Sequence, residues 1–374
     1  MRTSAVAGIV FANTNDNFLK KLTAHRSMAS VPFGGRYRLI DFALSNLVNA
    51  GVTTVGIIPK EKYRSLMDHV GSGIPWELDR KNGGLYLLPP YQTSGMRRYN
   101  GTVDALYGAK DYLERANTDY VALCDADVLA NVDISAALEN HIVNGADISI
   151  VYHKGILSAA EEPKETMLLK LNKDNKVTSI SFDPETEVDA NYSIGITILG
   201  RELLSKLVAE ASNNDCVSFN REVIAKKLKS LKVIGFEHSD YVAVMNSTHS
   251  YYKASMDLLC GDVRRQLFNK KRPIFTKTRD DMPTRYGTKA NVQNCFIADG
   301  CVINGTVKNS ILFRGVTVEK GAVVENSILM QETAVGNDAQ LNRVIADKNS
   351  VIGDSMVLKG TDKKAFFVKK NQIV

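Results

Sequence analysis

Apolar residues follow two different rhythms along this 374-residue chain. Up to about residue 260, short apolar runs alternate with segments whose apolar positions recur at helical spacing, the pattern of a parallel or mixed sheet with helices on both faces. Strands are expected at Ala5 to Phe11, Thr53 to Ile58, Tyr120 to Cys124, Ile148 to Tyr152 and Ile194 to Leu199. Between them Ile40, Ala43, Leu44, Leu47 and Val48 fall at i, i+3, i+4, i+7 and i+8 and stop before Gly51, which predicts a helix with one apolar face. Leu106, Ala109, Leu113 and Ala116 predict another, opened by Thr102, and an amphipathic stretch from Ser247 to about Asn269 predicts a closing helix.

Residues 270–291 lose both rhythms and carry Pro273, Pro283, Gly287 and many charges, as a linker would. Beyond them small aliphatic residues return every six positions: Ile297 and Ile303, then Leu312, Val318 and Val324, then Leu329, Val335 and Leu341, with Ile345, Ile352 and Leu358 after them. Inward-facing Val or Ile at that period, with Gly, Asn or Asp at the turns, predicts a parallel β-helix rather than an antiparallel sheet. About three coils are expected, short enough that the solenoid should dock on the first domain or on another subunit. The division is thus 1–269, a linker over 270–291, and a repeat domain over 292–374.

Composition narrows the function classes. A hydrophobic content of 44% with 24% charged residues, 26 Gly and 9 Pro describes an ordinary globular protein. The net charge of +6 is spread along the chain, which suits small anionic ligands better than nucleic acid. Five scattered Cys without a CxxC pair argue for reduced thiols and a cytoplasmic setting. No apolar run approaches a membrane span, and the eight-residue run at Ala5 to Ala12 reads as a buried strand rather than a leader.

The segment Val31-Pro-Phe-Gly-Gly-Arg-Tyr-Arg-Leu-Ile-Asp-Phe-Ala-Leu-Ser-Asn46 closely resembles the signature after the nucleotide loop of ADP-glucose pyrophosphorylases, the glucose-1-phosphate adenylyltransferases. Gly101-Thr102-Val103-Asp104-Ala105, Asp125-Ala126-Asp127, Ser193-Ile194-Gly195 and the hexapeptide tail follow in the family's order, so the resemblance covers nearly the whole chain. It implies an α/β architecture: a Rossmann-like, GT-A-like nucleotidyltransferase domain followed by a C-terminal left-handed parallel β-helix. It also implies a reaction, ATP and glucose 1-phosphate giving ADP-glucose and pyrophosphate.

That reaction depends on positioning phosphates among backbone N–H groups, cations and carboxylate-held Mg²⁺. Measured against the family pattern, the chain has lost most of these elements. The glycine loop becomes Asn13-Thr14-Asn15-Asp16-Asn17-Phe18-Leu19, with Phe18 in the arginine position and Asp16 expected to face the phosphates. The orienting lysine becomes Met28, the second metal-holding aspartate becomes Val244, and the lysine that grips the sugar phosphate becomes Asp183. What the resemblance leaves is a vestigial nucleotide and sugar pocket of Asn13, Thr14, Asp16, Tyr99, Gly101 and Ser193, with Asp127 as a residual metal ligand. Asp127 also suits, and suits rather better, a helix N-cap or turn acid, and Tyr99 equally suits packing.

In the family, basic residues near the following helix bind anionic effectors where the two domains meet. The matching residues are His25, Arg26 and Arg38, for which structural ion pairing is an equal alternative. The six His show no metal-ligand spacing, and His249, the last of them, precedes the repeats, which excludes acyl transfer by a histidine base on the β-helix.

Taken together, the resemblance points to the glycine-poor GlgD-type branch: a largely non-catalytic regulatory subunit without a firm cofactor of its own. Mg²⁺ would act in a catalytic partner, in a hetero-oligomer expected to be a heterotetramer, with a homo-oligomer as the form taken alone. A phosphorylated anion is the expected effector, and neither nucleic acid nor membrane is an expected partner. A slow enzyme relying on Asp104, Asp125 and Asp127, and a sugar-phosphate or nucleotide sensor, are the alternatives.

Overall fold

The computed structural model describes residues 6–12, 16–90, 99–157, 165–184 and 186–374. The apolar run near the start forms β1 (Val6–Phe11) at the centre of a nine-stranded sheet. A short hairpin, β2 (Pro32–Phe33) and β3 (Tyr37–Arg38), turns through Gly34 and Gly35, both at positive φ, and leads into α1 (Leu39–Asn49). Gly35 sits against Ala298 and Leu312 of the repeat domain, so the signature's glycines serve a turn pressed against a second domain. The backbone N–H of Arg38 donates to Asp41 Oδ2 at 3.0 Å, and Asp41 Oδ1 lies 2.5 Å from Nε2 of buried His69 on α2 (Arg64–Val70).

Parallel strands β4 (Thr54–Ile58) and β5 (Gly84–Leu87) extend the sheet on one side of β1. Two helices then follow, α3 (Thr102–Gly108) and α4 (Lys110–Ala116), where the apolar spacing predicted one; they part at Ala109. Next come β6 (Tyr120–Asp125), parallel to β1, the two-residue β7 (Val128–Leu129) and α5 (Ile134–Val143). The long strands β8 (Ile148–Leu157) and β11 (Val188–Gly200) outrun their expected lengths and flank the hairpin of β9 (Met167–Leu171) and β10 (Val177–Phe182). The domain ends with α6 (Arg201–Asn213), a π-helix at Phe219–Ile224, β12 (Val233–Glu237), β13 (Ala243–Val244), α7 (Thr248–Asp257) and α8 (Gly261–Leu267). The single closing helix expected over 247–269 is therefore divided, with an extended Cys260 before α8. Among the described residues no helix is long and apolar enough to cross a membrane.

The repeat domain is a left-handed parallel β-helix of three five-stranded parallel sheets, hence five coils where three were expected. Its first strand, Arg285–Tyr286, already pairs with Val302–Ile303, so the first coil begins inside the segment read as linker. Coils advance 15 residues from Val302 to Thr317 and 17 from Thr317 to Ala334, so their corners are tighter than three full hexapeptides require. Asn294, Asn309 and Asn326 stack at one corner with φ between 45° and 49°, a conformation asparagine tolerates better than most side chains.

The solenoid docks on the first domain, one of the two expected arrangements. Phe33, Leu39, Phe42, Tyr251 and Leu258 share one continuous apolar core with Ile311, Phe313, Ile328, Met330 and Ile345 of the β-helix. Tyr251 in that core donates its hydroxyl to Pro32 O at 2.7 Å. Burial of this kind couples the domains far more firmly than surface ion pairs can.

Candidate functional site

A cleft of about 350 Å³ opens at the carboxyl ends of β1 and β6, where open α/β sheets place their ligands. Phe11 and Asp125 face each other in register at those strand ends, and Asp127 follows. Tyr99 and Gly101 form one wall, Ser193 and Gly195 of β11 a second, and Glu165 to Met167 with Val217 to Asn220 a third. Gly195 has φ +73°, and a Cβ there would stand 2.7 Å from Asp125 Cβ; one on Gly101 would stand 2.3 Å from Val217 O. These glycines let the walls close on the floor. Asp125, Asp127 and Glu165 line the cleft against Lys60, the one cation among its described lining residues.

Of the pocket residues read from sequence, Tyr99, Gly101, Ser193 and Asp127 come together here, whereas Asn13 and Thr14 lie outside the described residues. Tyr99 also packs in the adjoining apolar core and donates to Leu88 O at 3.4 Å. Asp16 departs from expectation. Its Oδ1 accepts the Met28 backbone N–H at 2.6 Å, so the carboxylate tethers the following segment instead of facing the cleft.

The degenerate positions are built into other parts of the molecule. Phe18 and Met28 are buried in the apolar core that joins the β-helix, with Met28 only 1% exposed. Val244 pairs with Val128 across β13 and β7, and Met245 N–H donates to Asp127 O at 2.9 Å. Val244, at the position where the resemblance places a second metal-holding carboxylate, offers no oxygen, and the carboxylates of Asp125 and Asp127 are those the cleft presents near it. Among the described residues no group of three or more His, Cys, Asp or Glu is placed to hold a metal ion. Asp104, the third acid of the slow-enzyme reading, accepts from Asn100 N–H at 3.2 Å and does not line the cleft. Asp183 Oδ2 pairs with Arg221 Nη2 at 3.2 Å.

At the junction of the two domains, Arg26 Nη2 donates to both carboxylate oxygens of Asp347 of the β-helix at 2.8 and 3.0 Å, with both side chains buried. Arg38 donates through Nη1 to the backbone oxygen and the hydroxyl of Ser65, and burial lowers its pKa to about 10. His25 is exposed. Sequence reasoning missed Asp347 and Lys348, which look like ordinary turn residues after Val344-Ile345-Ala346. Burial, followed by the nearby Arg38 and Arg26 charges, pushes the Lys348 ammonium down to about 7.

That depression has a stability consequence. Between about pH 7 and 10.5 the unfolded chain holds a proton on Lys348 that the folded chain does not, so this residue makes stability rise with pH across that window. Its penalty is complete below pH 7. Lys348→Met should therefore stabilise the protein at pH 7 and flatten the dependence of the urea midpoint on pH between 7 and 10. An unchanged slope would contradict the assignment.

A nucleotidyl transferase family model matches residues 17–259, and a GlmU-like C-terminal hexapeptide model matches residues 280–374. The chain is 39% identical to the glycogen biosynthesis protein GlgD of Geobacillus stearothermophilus over 368 residues, 98% of this chain and 96% of that protein. It is 33% identical to GlgD of Bacillus subtilis (strain 168) over 373 residues, covering 100% and 98% of the two chains. With the glucose-1-phosphate adenylyltransferase of Bacillus mycoides (strain KBAB4) it shares 32% over 355 residues, 94% of each chain. With its sheet, cleft and β-helix all in the matched regions, the chain belongs to the nucleotidyl transferase family, in the group that holds the GlgD glycogen biosynthesis proteins and the glucose-1-phosphate adenylyltransferases.

Proposed function

We propose that this chain is a regulatory, largely non-catalytic subunit in glycogen biosynthesis, acting on a catalytic glucose-1-phosphate adenylyltransferase with which it forms a hetero-oligomer, a heterotetramer by the family's pattern. The observation that carries this reading is the burial of Phe18 and Met28 in the junction core. Where the resemblance calls for an arginine and a lysine against the triphosphate, the side chains are apolar and serve domain docking. Loss of one preorganised transition-state donor typically costs about 10²–10³ in rate; such losses do not simply add, yet one or two of them with a missing metal ligand would leave little turnover. Mg²⁺ and the adenylyl transfer belong to the partner's site in this reading.

The junction supplies the regulatory element. With Arg26 taken up by Asp347, the exposed His25 together with Arg38 and Lys348 is the basic set left to receive a phosphorylated effector, with Lys348 as its adjustable member. An anion bound there favours the charged ammonium, so binding should take up a proton near pH 7 to 8 and tighten as pH falls. The test mixes the chain with a catalytic relative and follows assembly by size-exclusion chromatography and pyrophosphate release. A hetero-oligomer with raised activity or altered effector response is expected. Two species that elute apart, with the relative's activity unchanged, would contradict the proposal.

A further inference from the structure

Both ends of Arg38 are tied to α2. Its backbone N–H donates to Asp41 Oδ2 at 3.0 Å, and Asp41 Oδ1 lies 2.5 Å from His69 Nε2. Its guanidinium Nη1 donates to the Ser65 hydroxyl at 2.9 Å and to the Ser65 backbone oxygen. Ser65 and His69 stand four residues apart on α2, on one face of the helix. The arrangement is dry, with Asp41 0% and His69 5% exposed. Trp76, the single tryptophan of the chain, packs edge-on against the imidazole with ring centroids 5.9 Å apart, which fixes the plane of the ring.

The placement of the proton follows from the partners. An ionised Asp41 only accepts, so the imidazole carries its hydrogen on Nε2. Burial keeps that ring neutral, lowering its pKa against the opposing pull of Asp41, and the Arg38 and Lys277 charges that also face it act in the same sense as burial. Asp41 in turn attracts the Arg38 charge more strongly than Asp68, the other carboxylate acting on it. A buried carboxylate that lost its His69 donor would need another, and Arg38 is the cation it already attracts. Recruiting it would turn the guanidinium back over the start of α1 and away from Ser65. The consequence reaches the β-helix. Burial comes first among the causes that depress the Lys348 ammonium and the Arg38 charge second, ahead of Arg26 and Lys370, while Asp347 opposes them.

We propose that His69 is a positioning residue for the anion site at the domain junction, occupying Asp41 so that the Arg38 guanidinium stays on Ser65 and available to an anion beside Lys348. The proposal rests on the reading of that junction as an effector site, and a readout without ligand separates the two. In the full chain carrying isotope-labelled lysine, NMR titration should place the Lys348 pKa at about 7 in the wild type and higher in His69→Phe, where Arg38 withdraws toward Asp41. His69→Gln, whose amide N–H can still donate to Asp41, should keep the wild-type value. Calorimetry with inorganic phosphate at pH 7 should show binding weaker by about fivefold or more in His69→Phe, and within about twofold of the wild type in His69→Gln. If His69→Phe does not fold, heteronuclear imidazole spectra of the wild type decide, because the proposal needs the ring hydrogen on Nε2. Lys348 titrating alike in the wild type and a folded His69→Phe, or a His69 ring protonated at Nδ1 alone, would overturn the proposal. A wild type that binds no phosphate yet shows the Lys348 shift would sink the effector reading and leave the positioning role standing.

Discussion

Asp347→Ala should destabilise the protein by about 3–5 kcal/mol, the usual result of leaving the partner of a buried ion pair without its counter-charge. Arg26 and Asp347 are 3% and 2% exposed and meet through two hydrogen bonds at the domain junction. Asp347 Oδ1 also accepts Lys348 N–H at 2.7 Å, so its removal loosens the corner of the β-helix that carries the lysine. The favourable part of the pair is smaller than this loss. An Arg26→Met, Asp347→Leu double variant should regain most of the lost stability, since apolar groups of similar volume often replace a buried pair at little net cost. Urea unfolding of the two single variants and the double variant measures the coupling. A loss below 1 kcal/mol for Asp347→Ala would show that water reaches Arg26 and that the junction is looser than described.

Met28→Lys is expected to unfold the junction instead of reviving a catalyst. The substitution restores the residue type the resemblance calls for, but Met28 packs in the core with Phe18, Leu22 and Phe33. An ammonium there must either shed its proton or drag water inward, and a buried, unpaired charge costs several kcal/mol in practice. Loss of the cooperative thermal transition, or a large fall in its midpoint, with no gain in pyrophosphate release, is the expected outcome. A folded variant with new turnover would mean that the position still points at phosphate.

Much of the architecture was legible because burial on both faces writes long apolar runs, as in β1 and β6, and because hexapeptide spacing is hard to imitate. What escaped were features that leave the periodicity intact. The apolar spacing runs straight through Ala109 and through residues 258–260, so the helix breaks there carry no signal. The coil count fell short in part because the first coil at Arg285 lies among prolines and charges, outside the segment whose six-residue period was legible.

The site divides along the same line. Which residue types stand at the positions the resemblance singles out was visible from the sequence alone. Where the replacements point was not: an aspartate in a loop can face a ligand or tether a backbone N–H, and Asp16 does the second. Arg26 presented two equal readings until Asp347, 321 positions away in sequence, supplied its partner. Arg221 drew no attention because Asp183 and Glu165 meet it only through the fold.

The most direct measurement is pyrophosphate release by the purified full-length chain, with ATP, glucose 1-phosphate and Mg²⁺ at saturation, beside an intact catalytic relative at equal concentration. Turnover lower by about 10⁴ or more follows from the loss of several cooperating groups. A rate within about tenfold of the relative's, abolished by Asp127→Ala, would contradict the account, because the cleft would then be running the chemistry with the groups it still has.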